Sequence, residues 1–448
     1  MRLHRNNLFK EWGVRVTERF KRRKDKVILH NLFMRVLLKA HPALISILSG
    51  LLVVQSSSGQ SLDEVQANLL QNSCQALVGQ SEQQENEFRA AAGPQLRFLC
   101  DPTTGGGVGG PGVASSAGGG ASGTQTSFVA ITRRLAKAHD SKDNNPNGGG
   151  AGDDANVDLG GGLNAFLSGQ FEGLDRSTTH FETGYKSNVN GVTGGVDYRF
   201  SDWFVSGIAV NYNHWNGNFD TAGGFKTDSL GPILYASFLP MDNVFADVML
   251  DYQYQSRDRS RFTSFLDTAR PNHNTSGIAS SDYGANRFGA NAVVGYDHSI
   301  GPFTIGPRFR FRYSDLNING YTETGSSGLE LRFLGDRVTS LQTALGIQIS
   351  AALNTVFGVL VPQVTADWTH EYQNNQHAMF AKFAQDGRPV PLTFQFQNDK
   401  PDRDFFHIGT GLGLVLPHGI QPFVNFETLL GNSQFTNFVG TAGIRLEL

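Results

Sequence analysis

Phe303-Thr304-Ile305-Gly306-Pro307-Arg308-Phe309-Arg310-Phe311-Arg312-Tyr313 sets an apolar residue at every odd position and arginine at three of the even ones. In an extended strand successive side chains point to opposite faces, so one face of this segment is apolar and the other cationic. A strand of a soluble sandwich also alternates, but it rarely carries three arginines opposite an aromatic face. A period of two with apolar residues outward and charge inward marks a strand of a transmembrane β-barrel. The same alternation recurs in stretch after stretch from about Leu163 to Leu448.

Outward from that segment the pattern predicts twelve strands, with cores at roughly 163–172, 191–200, 203–216, 226–239, 243–257, 284–299, 303–318, 337–353, 357–372, 403–416, 420–430 and 437–448. Tight turns such as Ser201-Asp202, Pro240-Met241-Asp242 and Pro417-His418-Gly419 join alternate neighbours. The remaining connections are mostly longer and rich in Gly and Asn, notably 258–283 and 373–402. Short periplasmic turns alternating with long outer loops are what an outer-membrane barrel shows, and an even strand count leaves both of its ends periplasmic. The expected fold is all-β: a twelve-stranded antiparallel transmembrane barrel, a short helix in or near the pore, and a small helical, partly disordered N-terminal region.

Faces follow from the alternation. Val192, Val196, Tyr198 and Phe200 should meet lipid, with Thr193, Asp197 and Arg199 in the lumen. Val248, Leu250, Tyr252 and Tyr254 should point out, with Asp247, Asp251 and Gln253 in. On the last strand Phe438, Ala442, Ile444, Leu446 and Leu448 are outward, with Thr441, Arg445 and Glu447 inward. An arginine on the lipid face at mid-depth costs roughly 2–4 kcal/mol. Placed inward, Arg308, Arg310 and Arg312 can pair with Asp197, Asp247 and Asp251 or meet water.

The bulk numbers are compatible with this. A hydrophobic fraction of 39% is low for a helical membrane protein, but a barrel strand needs an apolar residue only at every second position. The 53 glycines, 33 phenylalanines and 11 tyrosines suit strands, turns and aromatic girdles. A net charge of -3 gives no argument for a nucleic-acid partner.

The N-terminal portion reads differently. The apolar run Ala43 to Val54, preceded by Arg35 and Lys39 and followed by small polar residues, predicts a secretory signal peptide cleaved near Gly59. A buried helix of a soluble protein is the alternative. The basic stretch ahead of it, with Arg19, Lys21, Arg22, Arg23, Lys24 and Lys26, is either an extended n-region within residues 1–60 or lies upstream of a start at Met34 rather than Met1. The spacing of Leu62, Val65, Leu69 and Leu70 predicts a small helical segment over residues 61–101, which contains Cys74 and Cys100. In an exported segment a Cys74–Cys100 disulfide would close a loop of about 25 residues and contribute roughly 3 kcal/mol; free thiols are the alternative. Residues 102–162 read as a Gly-rich linker in which 127–138 is expected to form a short amphipathic helix, with the barrel following at 163–448. Phe128, Ile131 and Leu135 make that helix's apolar side, and Arg133, Arg134 and Lys137 its basic part.

Gly191-Val-Thr-Gly-Gly-Val-Asp-Tyr-Arg-Phe-Ser-Asp-Trp-Phe-Val-Ser-Gly-Ile-Ala-Val-Asn-Tyr212 is similar to the second and third strands of autotransporter β-domains. Asn216-Gly-Asn-Phe-Asp220, Lys226-Thr-Asp-Ser-Leu-Gly231 and the closing Gly440-Thr-Ala-Gly-Ile-Arg-Leu-Glu-Leu448 extend the likeness through essentially the whole barrel. The resemblance implies a type V secretion translocator, with an N-terminal passenger crossing to the surface and a helix ahead of the first strand in the pore. Phe128 to Ala138 is the match for that helix; a helix lying outside in the periplasm is the alternative. The C-terminal run, with Phe438, Ile444, Leu446 and Leu448 outward, resembles the signal read by barrel-assembly machinery. Leu448 departs from the aromatic residue usual there. Only about 65 residues separate the signal from the helix, too few for a long β-helical or catalytic passenger, so the resemblance supplies no secreted activity.

Motifs for chemistry are sparse. Asn144-Asn145 resembles an autotransporter self-cleavage site, but Pro146 follows and the tract is simply polar. His370-Glu371 and His377 are the only rim residues with a metal or protease flavour, and loop histidines are the plainer reading. No cofactor is expected. The sequence therefore predicts a non-catalytic outer-membrane translocator or scaffold that anchors or exports a short N-terminal segment. Its partners would be outer-membrane lipid and the Sec export and barrel-assembly machinery, with no nucleic acid, and the barrel would be a monomer. The rivals are an adhesion or ligand-binding barrel working through loops 258–283 and 373–402, a barrel hydrolase, and a channel.

Overall fold

The computed structural model describes residues 162–448 except 180, 242, 266–274, 326, 390, 392 and 448, together with 90, 92, 93 and 96. The strands, in chain order, are β1 (Leu163–Arg176), β2 (Tyr185–Ser201), β3 (Phe204–Phe219), β4 (Gly223–Met241), β5 (Val244–Phe265) and β6 (Thr275–Tyr296). Next come β7 (His298–Ile300), β8 (Phe303–Ile318), β9 (Tyr321–Thr322), β10 (Leu331–Phe333), β11 (Asp336–Ala351) and β12 (Leu353–Thr355). The series ends with β13 (Gly358–Glu371), β14 (Ala378–Phe383), β15 (Phe394–Gln397), β16 (Asp404–Val415), β17 (Ile420–Leu430) and β18 (Phe435–Glu447).

Twelve long strands form the wall, each antiparallel to its neighbour, while β7 and β12 only extend hairpins at the short-turn end. The sheet closes on itself. Last strand β18 pairs with β1 from Asn164–Glu447 to Arg176–Phe435, and β8 pairs with β11 from Phe303–Ala351 to Ile318–Asp336. Closure leaves no open sheet edge around the wall, which is the condition for crossing lipid with strands.

A contiguous outward band is apolar: Ile208 and Val210 on β3, Leu234 on β4, Val248 and Leu250 on β5, Leu345 and Ile347 on β11, and Val364 on β13 are all exposed. A surface that apolar is tolerated against lipid, not against water. Aromatic residues flank it. At the short-turn end Phe204 contacts Phe200, Trp203 and Phe238, with ring centroids 5.6, 5.8 and 5.0 Å apart. Toward the other end Tyr212, Tyr252, Tyr254, Trp368 and Tyr372 face outward.

Beyond that outer girdle the faces exchange character. On β3 the outward residues become His214, Asn216 and Asn218, while Trp215 and Phe219 turn inward and are buried. Their inward rings join Leu174, Tyr185, Val189 and Phe225 in an apolar cluster inside the wall. At 22 residues each and a tilt of about 40°, β5 and β6 climb roughly twice the ~25 Å apolar band, so their outer halves stand in water.

The wall strands therefore run further than the sequence pattern suggested. Residues 258–265 and 275–283, expected as loop, are strand; β1 continues to Arg176 and β2 begins at Tyr185 rather than near 191. On β2 alternation persists there with its polarity reversed, Tyr185 and Val189 in and Lys186, Asn188 and Asn190 out, while on β5 both faces are mostly polar with Arg259 and Arg261 inward; a search for an apolar outward face misses both. The 373–402 connection also holds two strands of its own, β14 and β15.

Candidate functional site: the lumen and the outer mouth

The lumen is layered. Nearest the short-turn end Phe166, Ala209, Ile233, Tyr235, Leu239, Phe245, Met249 and Val293 form a buried apolar patch on β1 and β3–β6. Above it lies a neutral polar belt. Gln170 Nε2 and Asn211 Nδ2 each donate to Thr193 Oγ1 at 2.8 Å, and Gln253 Nε2 donates to Asn211 Oδ1 at 3.0 Å. Hydrogen bonds between strands fix the rotamers of these side chains and stiffen the wall.

The charges named from the sequence face inward but choose other partners than expected. Asp197 accepts from Asn164 Nδ2 at 3.2 Å and from the Tyr235 hydroxyl at 3.0 Å, and Asp247 accepts from Ser237 Oγ at 2.7 Å. Asp251 pairs with Arg287, both side chains 1% exposed. Arg308 Nη2 donates to Asp297 at 2.9 Å and its guanidinium lies 4.5 Å from the Phe245 ring centroid. Arg310 pairs with Asp367, and Arg312 sits in the fields of Arg310, Glu427 and Asp367. Register explains the difference: β8 lies between β6 and β11, so its arginines reach carboxylates near or across those strands, while Asp251 is already met by Arg287 on β6. Arg199 is half-buried at the short-turn end, where its backbone N–H donates to Gly162 at 2.9 Å.

The outer mouth is occupied by folded loops. Strands β15, β14, β10 and β9, in that order, make a separate four-stranded sheet from the 319–335 and 372–403 connections. This cap is tied to inward faces of the wall. Arg261 on β5 donates to Glu323 through Nε at 2.9 Å and Nη2 at 2.6 Å, and Leu331 N donates to the same carboxylate at 2.9 Å. Tyr321 stacks on Tyr283 of β6 with centroids 4.1 Å apart, and Arg259 Nη1 donates to its hydroxyl at 3.3 Å. Burial pushes the Tyr321 phenol above its ordinary range, and neighbouring Tyr283 adds to this. Across the mouth Arg176 of β1 meets Asp399 at 2.7 Å and pairs with Glu182.

A short stretch of the N-terminal portion lies against the cap. Ala92 forms an antiparallel bridge with Asp386, and Gly93 N donates to the Gln385 carbonyl at 2.9 Å. Leu96 N donates to Gln385 Oε1 at 3.3 Å, and the Ala92 and Leu96 side chains are buried.

His370 and Glu371 face opposite sides of the wall. His370 Nδ1 lies 2.8 Å from Asp404 Oδ1, beside the Trp368 indole that donates to the same oxygen at 3.2 Å, both at the outward girdle. Glu371 points in and accepts from Ser340 Oγ, Leu341 N and Gln342 Nε2 at 2.6, 3.0 and 3.0 Å. His377 pairs with Asp336. These three residues therefore do not converge on one point. Outward placement of Phe438, Ile444 and Leu446 matches the alternation of the last strand. The signal segment, Cys74, Cys100, Phe128, Ile131, Arg133, Arg134, Leu135, Lys137, Asn144, Asn145 and Leu448 lie outside the described residues.

The sequence reading missed Arg176, Arg261, Glu323 and Asp399. A signal was available in Arg257-Asp258-Arg259-Ser260-Arg261, where arginine at every second position continues the inward row of β5.

A closed antiparallel barrel with an apolar belt, two aromatic girdles and a charged lumen is an integral outer-membrane protein. The chain belongs to the autotransporter family, whose β-domain model matches residues 165–427. It is 25% identical over 262 residues to outer membrane protein A of Rickettsia conorii, covering 56% of this chain and 12% of that protein. Against outer membrane protein B of Rickettsia prowazekii it is 23% identical over 272 residues, covering 59% and 16%. The chain thus spans less than a fifth of the length of these relatives. Among solved structures, the translocator domain of the autotransporter NalP from Neisseria meningitidis shares the fold with a TM-score of 0.51 at 15% identity, covering 73% of this chain and 98% of that one.

Proposed function

We propose that this translocator barrel is non-catalytic, that it brings segment 61–125 to the outer surface, and that it anchors the segment there. The observation carrying this reading is the bridge from Ala92 to Asp386, because Asp386 belongs to a connection at the long-loop end of the barrel. A segment held in the periplasm would lie at the opposite end, beside Gly162 and the short turns.

In this reading Sec exports the chain and barrel-assembly machinery inserts it through the run from Phe438 to Leu448. The helix 127–138 seats in the lumen, and the layering supports the fit. Phe128, Ile131 and Leu135 suit the apolar patch around Phe166, Ile233 and Met249, while Arg133, Arg134 and Lys137 suit inward carboxylates such as Glu172 and Glu427. Cys74 and Cys100 close the displayed segment as a disulfide.

The test is an epitope tag near Gly110 on intact cells exposed to external protease. Loss of the tag is expected. A tag cut only after outer-membrane rupture would contradict display.

A further inference from the structure

The turn that meets the N-terminal segment is itself held rigidly. It follows β14, whose partner β10 anchors it to the cap. Ala384 N donates to the Glu330 carbonyl at 2.9 Å, and Asp386 N donates to the Phe383 carbonyl at 3.1 Å. Arg388 grips the buried Asp386 carboxylate through Nε and Nη2, both at 2.8 Å. With its side chain occupied, Asp386 offers its backbone to Ala92, and Gln385 offers both its carbonyl and its side-chain oxygen to the segment.

The segment is equally particular. Leu96 is 0% and Ala92 6% exposed, so apolar burial accompanies the hydrogen bonds. At Gly93 a Cβ would lie 2.3 Å from Gln385 Oε1 and 2.9 Å from Gln385 Cβ, so the close approach needs a residue without a side chain. Pre-set donors and acceptors, buried apolar anchors and a close backbone approach are the elements of a binding site rather than of a chance touch.

We propose that the Gln385–Asp386 turn is a docking site for the chain's own segment around Ala92–Leu96, which latches the displayed portion to the cap without a covalent bond. The proposal rests on the surface-display reading above. While the 102–124 linker is intact, tethering keeps the segment at high effective concentration; once the linker is cut, only the latch retains it.

The test uses the full chain in cells, with an epitope tag after residue 61 and a site for a specific protease near Gly110. Intact cells are treated with that protease, and the tagged fragment is followed in the cell and medium fractions. The wild-type fragment is expected to stay with the cells. Gly93→Val, which lies outside the barrel and spares its assembly, should raise the rate of shedding about tenfold, as loss of one buried hydrogen bond would. Gly93→Val combined with Gln385→Gly, which reopens the space but gives up the Leu96 N to Gln385 Oε1 bond, should regain part of the retention. Immediate shedding of the wild-type fragment would overturn the latch while leaving display intact. Equal retention of Gly93→Val, or no recovery in the double variant, would overturn the assigned contact. A linker that is cut in detergent extracts but not on intact cells would overturn display and the latch together.

Discussion

Arg261 and Glu323 meet in a two-pronged ion pair at 2.9 and 2.6 Å, with side chains 4% and 1% exposed. The arginine belongs to the inward row of β5, beyond the apolar belt, and the glutamate to the connection after β8. Because Leu331 N donates to the same carboxylate, the pair fixes loop backbone as well as side chain. A planar guanidinium matched to a carboxylate is geometrically demanding, so it locks one position of the cap against the wall.

Removing one partner of this pair should loosen the cap. Glu323→Ala leaves Arg261 buried without its carboxylate, a change that costs about 3–5 kcal/mol for buried pairs. Local opening of the 319–335 connection is the expected outcome, read as much faster cleavage there by protease added to intact cells. Heat-modifiable mobility of the barrel should be unchanged. Equal resistance in the variant would show that the cap is held by other contacts.

The apolar belt makes a depth-dependent prediction on one face of β3. Ile208 lies between Phe204 and Tyr212, and Asn216 lies above Tyr212 on the same outward face. Ile208→Arg should lower stability in lipid by roughly 2–4 kcal/mol, and Asn216→Arg by no more than about 1 kcal/mol. Urea titration of the barrel refolded in vesicles measures both. Similar losses at the two positions would contradict the assigned belt.

Barrel closure depends on Gly443. A Cβ there would lie 2.7 Å from the Leu167 carbonyl oxygen and 2.6 Å from the Phe423 ring, and a backbone oxygen cannot step aside as a flexible side chain can. Gly443→Val should reduce the folded, heat-modifiable fraction in the outer membrane several-fold, by obstructing the β1–β18 seam. Assembly at the wild-type level would mean that the seam is looser than the structure has it.

The belt was legible because lipid imposes a strict rule: outward residues must be apolar wherever hydrocarbon touches them. Phe303 to Tyr313 obeys that rule throughout, and the twelve wall strands followed from it. Above Tyr212 and Tyr254 the solvent changes and so does the code. Trp215 and Phe219 then point in while Asn216 and Asn218 point out, and a rule tuned to lipid ends the strand at 216, three residues short. Partner choice was less legible still. Inward arginines and aspartates were visible by parity, but pairing Arg308 with Asp297 and Asp251 with Arg287 requires the register between strands. The cap depends on contacts 62 to 223 residues apart in sequence, such as Arg261 with Glu323 and Arg176 with Asp399, and no local pattern announces them.

The most direct measurement is an intramolecular cross-link between Ala92→Cys and Asp386→Cys, in a chain whose Cys74 and Cys100 are replaced by Ser, driven on intact cells by a membrane-impermeant oxidant. Arg332→Cys with Lys382→Cys, opposed across β10 and β14, serves as the positive control within the cap. The account predicts that both pairs link in cells whose outer membrane is whole. A linked control beside an unlinked 92–386 pair would contradict it, because the N-terminal segment would then not lie on the outer cap.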